Sequence, residues 1–284
     1  MGKNKYRFKG HESFILREGW LNKGLYEVNR NPKVFFENYG ADALGVGPNM
    51  AKAIRYWLRA AELVTDAPKT GVTLTNIGKL ILEHDPCVED YFTLWLIHCI
   101  IAKNRELATA WNIYFNQVSY EEFKKQQLYD EMETLANDFV GEEKVAQSSI
   151  YADCDAILRM YMPGKETNPE EKNSSPFGKL GLLKNIDGLY CRRQPDLNKL
   201  PEEIVWFLLV DKEADRTSIY LDDLWKEVNS PGKILQLKRT ALIEMLERLE
   251  EKDKIVMNRT AGLNMIYWEK GLTGEKIVKN YYER

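Results

Sequence analysis

Three groups of side chains have the types and spacing to do chemistry. The first is Asn49, Lys52, Arg55 and Arg59, which recur every three or four residues and so share one side of a helix. Asn and Arg suit bidentate contacts to base edges, and Lys and Arg neutralise phosphates. The second is Gln236, Lys238, Arg239 and Thr240, with Lys254 and Arg259 further on. Its composition is equally suited to nucleic acid, although Glu244, Glu247, Glu250 and Glu251 follow directly and would repel phosphates. The third is His11-Glu12-Ser13, flanked by Phe8, Phe14 and Trp20. Histidine titrates near neutral pH, so His11 and Glu12 suggest acid–base work. Adjacent residues rarely act on one atom, however, and no companion nucleophile is identifiable, which favours a buried hydrogen-bond cluster.

Other chemistry finds no purchase. There is no GxxxxGK[ST], and Gly78-Lys79, Gly178-Lys179 and Gly232-Lys233 lack the upstream glycine of a phosphate cradle. Cys87, Cys99, Cys154 and Cys191 form no CxxC pair, and His11, His84 and His98 complete no zinc pattern, which points to reduced, mostly buried thiols. Asp211-Lys212-Glu213 lies at a helix end and reads as a solvated charge run. The expectation is a binding protein without metal or cofactor rather than an enzyme.

The first cationic group belongs to an amphipathic helix over Pro48–Val64, with Met50, Ala53, Ile54, Trp57, Leu58 and Ala61 as the core stripe and Tyr56 outside it. Asp42 to Val46 supplies a short preceding turn of helix. Two short strands around the Asp66 to Gly71 loop follow, and Thr75 caps a further helix. The second group repeats this order: short helix Leu221–Val228, break, long helix Gln236–Lys252, then strands Lys254–Asn258 and Asn264–Trp268 around a turn at Thr260 to Leu263. In such a module the second helix enters the major groove.

Between them, Val88 to Gln117 is apolar on nearly every side and forms a buried scaffold. Ser119 is expected to cap the next helix, and Val145 to Tyr161 is amphipathic. Pro163 to Pro176 is an aperiodic linker, Leu180–Leu183 and Gly188–Arg192 bracket a turn, and Pro201 opens the last module. The expected fold is mainly α, with winged-helix-like modules at both ends and small β-hairpin wings around a central helical scaffold. The expected domains are 1–87, 88–162, 163–195 (linker and hairpin) and 196–284.

At 284 residues, 44% hydrophobic and 29% charged, the composition is that of a folded globular protein. The longest apolar run, Phe92 to Ala102, is too short to cross a bilayer, and no signal peptide is evident, so a cytoplasmic protein is expected. The net charge of -3 hides a segregation. Residues 1 to 60 carry 11 Lys and Arg against 5 Asp and Glu, residues 231 to 284 carry 11 against 8, and the remainder carries 18 against 30. Basic ends suit a polyanion and an acidic middle suits a basic protein partner.

Finally, Gly10-His11-Glu12-Ser13-Phe14, Arg17, Gly19-Trp20-Leu21 and Lys23-Gly24 form a recognisable set. They join Leu44-Gly45-Val46-Gly47, Asn49-Met50, Ile54-Arg55-Tyr56-Trp57, Leu74-Thr75, Gly78, Asp85-Pro86, Thr93-Leu94-Trp95-Leu96 and His98. Together these resemble a bacterial domain-of-unknown-function family, the one numbered four thousand and seven, most densely before residue 116. The resemblance implies an accessory of a DNA phosphorothioation or other phage-defence system, encoded beside phosphoadenosine-phosphosulfate-reductase-like proteins. It implies no catalytic residues. The leading expectation is a subunit that binds double-stranded DNA within such a complex. The alternative is an adaptor that docks a reductase-like or ATPase partner without touching DNA.

Overall fold

The computed structural model describes residues 5–67, 69–164, 174–211, 216–260 and 264–284. Most of the expected linker Pro163–Pro176, Lys212 and Glu213, and most of the turn at Thr260 to Leu263 lie outside those residues. Among the described residues the chain is mainly helical, with three small antiparallel sheets.

The amino-terminal elements are α1 (Trp20–Arg30), a 3-10 turn at Asn38–Gly40, α2 (Ala41–Leu44), α3 (Pro48–Ala60), β1 (Val64–Ala67), β2 (Gly71–Leu74) and α4 (Asn76–His84). Helix α3 starts where the sequence expects, with Pro48 in its first turn. Ala53, Ile54, Trp57 and Leu58 are fully buried, and the Trp57 indole donates to the Phe14 carbonyl at 3.1 Å. Tyr56 corrects the expectation, because it too is buried. Its hydroxyl donates to the Leu107 carbonyl at 2.9 Å, so the scaffold covers a second side of α3 and the buried arc is wider than one stripe. The Thr75 hydroxyl accepts from the Gly78 amide at 3.0 Å and caps α4 as expected.

The scaffold is α5 (Tyr91–Lys103) and α6 (Thr109–Asn116), buried along almost their whole length. Ser119 does not cap the next helix. Glu122–Lys124 is instead a strand, β3, and α7 (Lys125–Val140) begins after it. The cause is a long-range pairing: β3 lies against β5 (Leu189–Arg192), with Phe123 opposite Tyr190, and β5 pairs in turn with β4 (Leu183–Ile186). Phe123 is fully buried by this sheet. Ser119 binds the Glu131 carboxylate through its amide and hydroxyl. Helix α8 (Gln147–Tyr161) closes this region.

The carboxy-terminal elements are α9 (Glu202–Asp211), β6 (Ser218–Tyr220), α10 (Leu221–Lys226), α11 (Pro231–Ile234), α12 (Arg239–Glu251), β7 (Val256–Asn258), β8 (Met265–Tyr267) and α13 (Gly274–Tyr282). The expected hairpin gains a third strand, giving the sheet order β6-β8-β7. Helix α13 packs on α4 and α9. Tyr281 stacks on Phe92 with ring centroids 3.7 Å apart, and one buried apolar cluster runs from Ile15 to Val278. No helix among the described residues is long and apolar enough to cross a membrane.

Candidate nucleic-acid interface

The cations of α3 share one surface with two neighbouring segments. Asn49 is exposed near the start of the helix, and Lys52, Arg55 and Arg59 are half-buried along it. The Arg55 guanidinium lies 2.8 Å from one Asp66 carboxylate oxygen and the Arg59 guanidinium 3.1 Å from the other. Asp66 is on β1, so a single carboxylate ties the hairpin to the helix through both arginines. All three side chains remain about one-third exposed.

The segment between α1 and α2 lines the other side of α3. Arg55 lies over the Phe35 ring and Lys52 over the Tyr39 ring, with the ammonium 4.3 Å from the Tyr39 centroid. The same segment is fastened to the hairpin, because the Val72 amide donates to the Pro32 carbonyl at 2.8 Å. Gly71 approaches that carbonyl so closely that a Cβ would sit 2.2 Å from its oxygen, and its φ of +106° is itself a glycine conformation. Phe36 and Tyr39 are 57% and 50% exposed. Phe36, Tyr39 and Asp66 escaped the reading of the sequence. The signal for the aromatics was three rings, Phe35, Phe36 and Tyr39, in a short polar stretch with no helical or strand period to bury them all.

The carboxy-terminal candidates divide between one half-buried side chain and several exposed ones. The Gln236 side chain accepts from Arg192 at 2.8 Å and donates to the Leu182 carbonyl at 3.3 Å, which fixes it between β4 and β5. Lys238 and Thr240 are exposed at the start of α12. Arg239 pairs with Asp222 at 3.3 Å and Arg259 with Glu247 at 2.7 Å. Lys254 is exposed, with its ammonium over the Trp206 ring. Of the glutamates that follow Thr240 in sequence, Glu247 thus meets Arg259 and Glu244 meets Arg248, while Glu250 accepts from the Met257 amide.

The third group divides. His11 turns inward and is 1% exposed, whereas Glu12 and Ser13 are exposed at φ of 51° and 66°. The ring Nε2 of His11 lies 2.8 Å from a carboxylate oxygen of Asp153 on α8, and the Lys9 amide donates to both oxygens of that carboxylate at 3.0 Å. Burial pushes the Asp153 carboxyl up, opposed by the His11 and Lys9 hydrogen bonds. The imidazole stacks on Trp57 and meets Trp111 edge-on. This dyad clamps the amino-terminal segment to α8. Its second member lies 142 residues away, where no local pattern marked it.

His98, deep in α5, plays a similar part. A carbonyl can only accept, so Nε2–H donates to Ile234 at 2.9 Å, and Nδ1 accepts from the Tyr161 hydroxyl at 2.8 Å. Burial lowers its pKa to about 4, against a smaller opposing effect of the Ile234 bond. Among the described residues no group of three or more His, Cys, Asp and Glu side chains is gathered to hold a metal. All four cysteines are free, with Cys87 exposed and the others buried.

Comparison with curated proteins returns no match. Two solved structures share the fold. A magnesium ion-bound SspB crystal structure is 25% identical, with a TM-score of 0.87, over 97% of this chain and 88% of that one. An SspB crystal structure is 24% identical, with a TM-score of 0.87, over 99% of this chain and 89% of that one. The family model described as "Protein of unknown function (DUF4007)" matches residues 8–282, and the chain therefore belongs to that family.

Proposed function

We propose that this protein is a DNA-binding component of a bacterial DNA sulfur-modification or phage-defence system, and that it meets DNA through α3 and the β1–β2 hairpin. The process is what the family resemblance implies, and the likeness to SspB structures supports the same kind of assembly. The observation that carries the DNA contact is the convergence of Lys52, Arg55 and Arg59 on one surface with the hairpin that Asp66 ties to both arginines. The order α2-α3-β1-β2 supports a winged-helix reading of this unit, and α9-β6-α10-α11-α12-β7-β8 with its three-stranded sheet supports it for the other. One of the similar structures is magnesium ion-bound. No step of this proposal runs through magnesium.

The test is a duplex titration at several salt concentrations. Replacing Lys52, Arg55 and Arg59 together by alanine is expected to weaken binding and to flatten its salt dependence, each lost phosphate contact removing roughly 0.9 from the log–log slope. A folded triple variant that binds as tightly as wild type, with the same slope, would remove α3 from the interface.

The carboxy-terminal unit favours a second role, docking of a protein partner such as the reductase-like or ATPase component. Ile219 and Ile266 point into the core, while Tyr220, Val256 and Tyr267 on the opposite face of the same sheet are 48%, 64% and 41% exposed. Exposed apolar side chains on a sheet face suit a protein better than a phosphate backbone.

A further inference from the structure

Between Arg30 and Val72 the chain carries six cations, Arg30, Lys33, Lys52, Arg55, Arg59 and Lys69, against four carboxylates. Two of the cations share Asp66. That is little charge for a surface that must hold a duplex by phosphate contacts alone, since proteins that do so commonly neutralise about 6–10 phosphates. The same surface has what an electrostatic duplex clamp does not need, exposed aromatic rings. Single-stranded nucleic acid is held in the opposite proportion, by a modest basic track and by rings on which bases stack.

The local geometry presents one of these rings deliberately. Asn38, Tyr39 and Gly40 adopt φ of 43°, 56° and 81°, three successive residues in the left-handed region. Glycine does this freely and asparagine tolerates it, but a tyrosine there is strained. The strain is not repaid by burial, because the Tyr39 side chain is half exposed. Phe36, three residues earlier, is more exposed still, and is the one phenylalanine among the exposed large hydrophobic side chains of the described residues. The loop that bears them is anchored at one end by the Val72 amide on the Pro32 carbonyl. At the other, Gly40 packs on the Val34 carbonyl, which a Cβ would meet at 3.0 Å. Lys52 covers one face of the Tyr39 ring. Half of the Tyr39 side chain remains exposed, which leaves ring surface on which a base can stack beside a cation.

We infer that Tyr39 and Phe36, with Lys52, form a stacking site for unpaired nucleotides, so that this surface takes single-stranded or locally opened DNA in preference to a closed duplex. This deepens the proposed function and rests on it. A stacked base is sequence-tolerant, because every base has a π face, so the site would hold a strand without reading it.

The test is fluorescence anisotropy of the full chain with an oligo-dT strand of roughly 12 nucleotides and with a hairpin duplex. Tyr39→Ala combined with Phe36→Ala is expected to weaken single-strand binding by roughly tenfold or more. Duplex binding should change by less than about threefold, and the salt slope should stay as in wild type, because stacking releases no counterions. Tyr39→Phe keeps the ring and is expected to bind the strand as wild type does. Both side chains are exposed, so the fold should be kept. If wild type binds both DNA forms and the double alanine variant binds the strand unchanged, the stacking site is wrong while the proposed function stands. If the variant loses strand and duplex equally, the preference for unpaired nucleotides is wrong. If wild type binds neither form, the proposed function fails and takes this inference with it.

Discussion

At the scale of single residues, His11 and His98 are both enclosed in the core. His11 meets Asp153 there through Nε2 alone, its Nδ1 having no hydrogen-bond partner among the described residues, and His98 is held neutral between a carbonyl and a hydroxyl. His98 makes a prediction with a definite sign. Its folded pKa, about 4, lies below its ordinary value of 6.5, so between these values the unfolded chain takes up a proton that the folded chain refuses. Stability is therefore insensitive to this group above pH about 6.5 and falls as the pH drops toward 4, by up to roughly 3 kcal/mol. Urea unfolding from pH 7 to 4.5 should show that loss in wild type and a shallower one in His98→Gln. Equal slopes in the two proteins would contradict the assignment.

At the scale of elements, legibility followed sequence distance. Helix α3 was readable because its stripe, its Pro48 start and the turn-rich hairpin after it are all local, as was the Thr75 cap of α4. The strand β3 was not, because three residues carry no period and its partner β5 lies far along the chain. The same holds for Asp153, whose role exists only once α8 meets the amino-terminal segment. Other omissions had signals. Leu21, Leu25 and Val28 mark the buried face of α1, and Ile277, Val278, Tyr281 and Tyr282 follow the Thr273 cap of α13 at helical spacing. At the candidate interface the cations were legible from their spacing. Their restraint by Asp66 and the exposure of Phe36 and Tyr39 depend on how a hairpin and a loop pack on α3, which spacing does not encode.

At the scale of the whole molecule, α13 joins the two ends of the chain. Tyr282 stacks on His84 and hydrogen-bonds Thr93, and the buried cluster beneath is continuous. Tyr282→Ala is expected to lower stability by about 3 kcal/mol. Unfolding should remain a single transition, with tryptophan fluorescence and far-UV circular dichroism coinciding. Two separated transitions in wild type would show that the core does not act as one unit. The charge pattern belongs to this scale too, with a basic amino-terminal end followed in sequence by an acidic middle, and the proposed function puts the polyanion contact at the basic end, on α3. The most direct test of that contact is a variant expected to gain binding, since misfolding produces only losses. Asp66→Asn removes the carboxylate shared by Arg55 and Arg59. At this exposure the lost pairs should cost no more than about 1 kcal/mol of stability. Titration of DNA against the variant at several salt concentrations should give tighter binding, because the carboxylate that repels phosphates and competes with them for both guanidinium groups is gone. Unchanged or weaker binding by a folded Asp66→Asn protein would contradict the account.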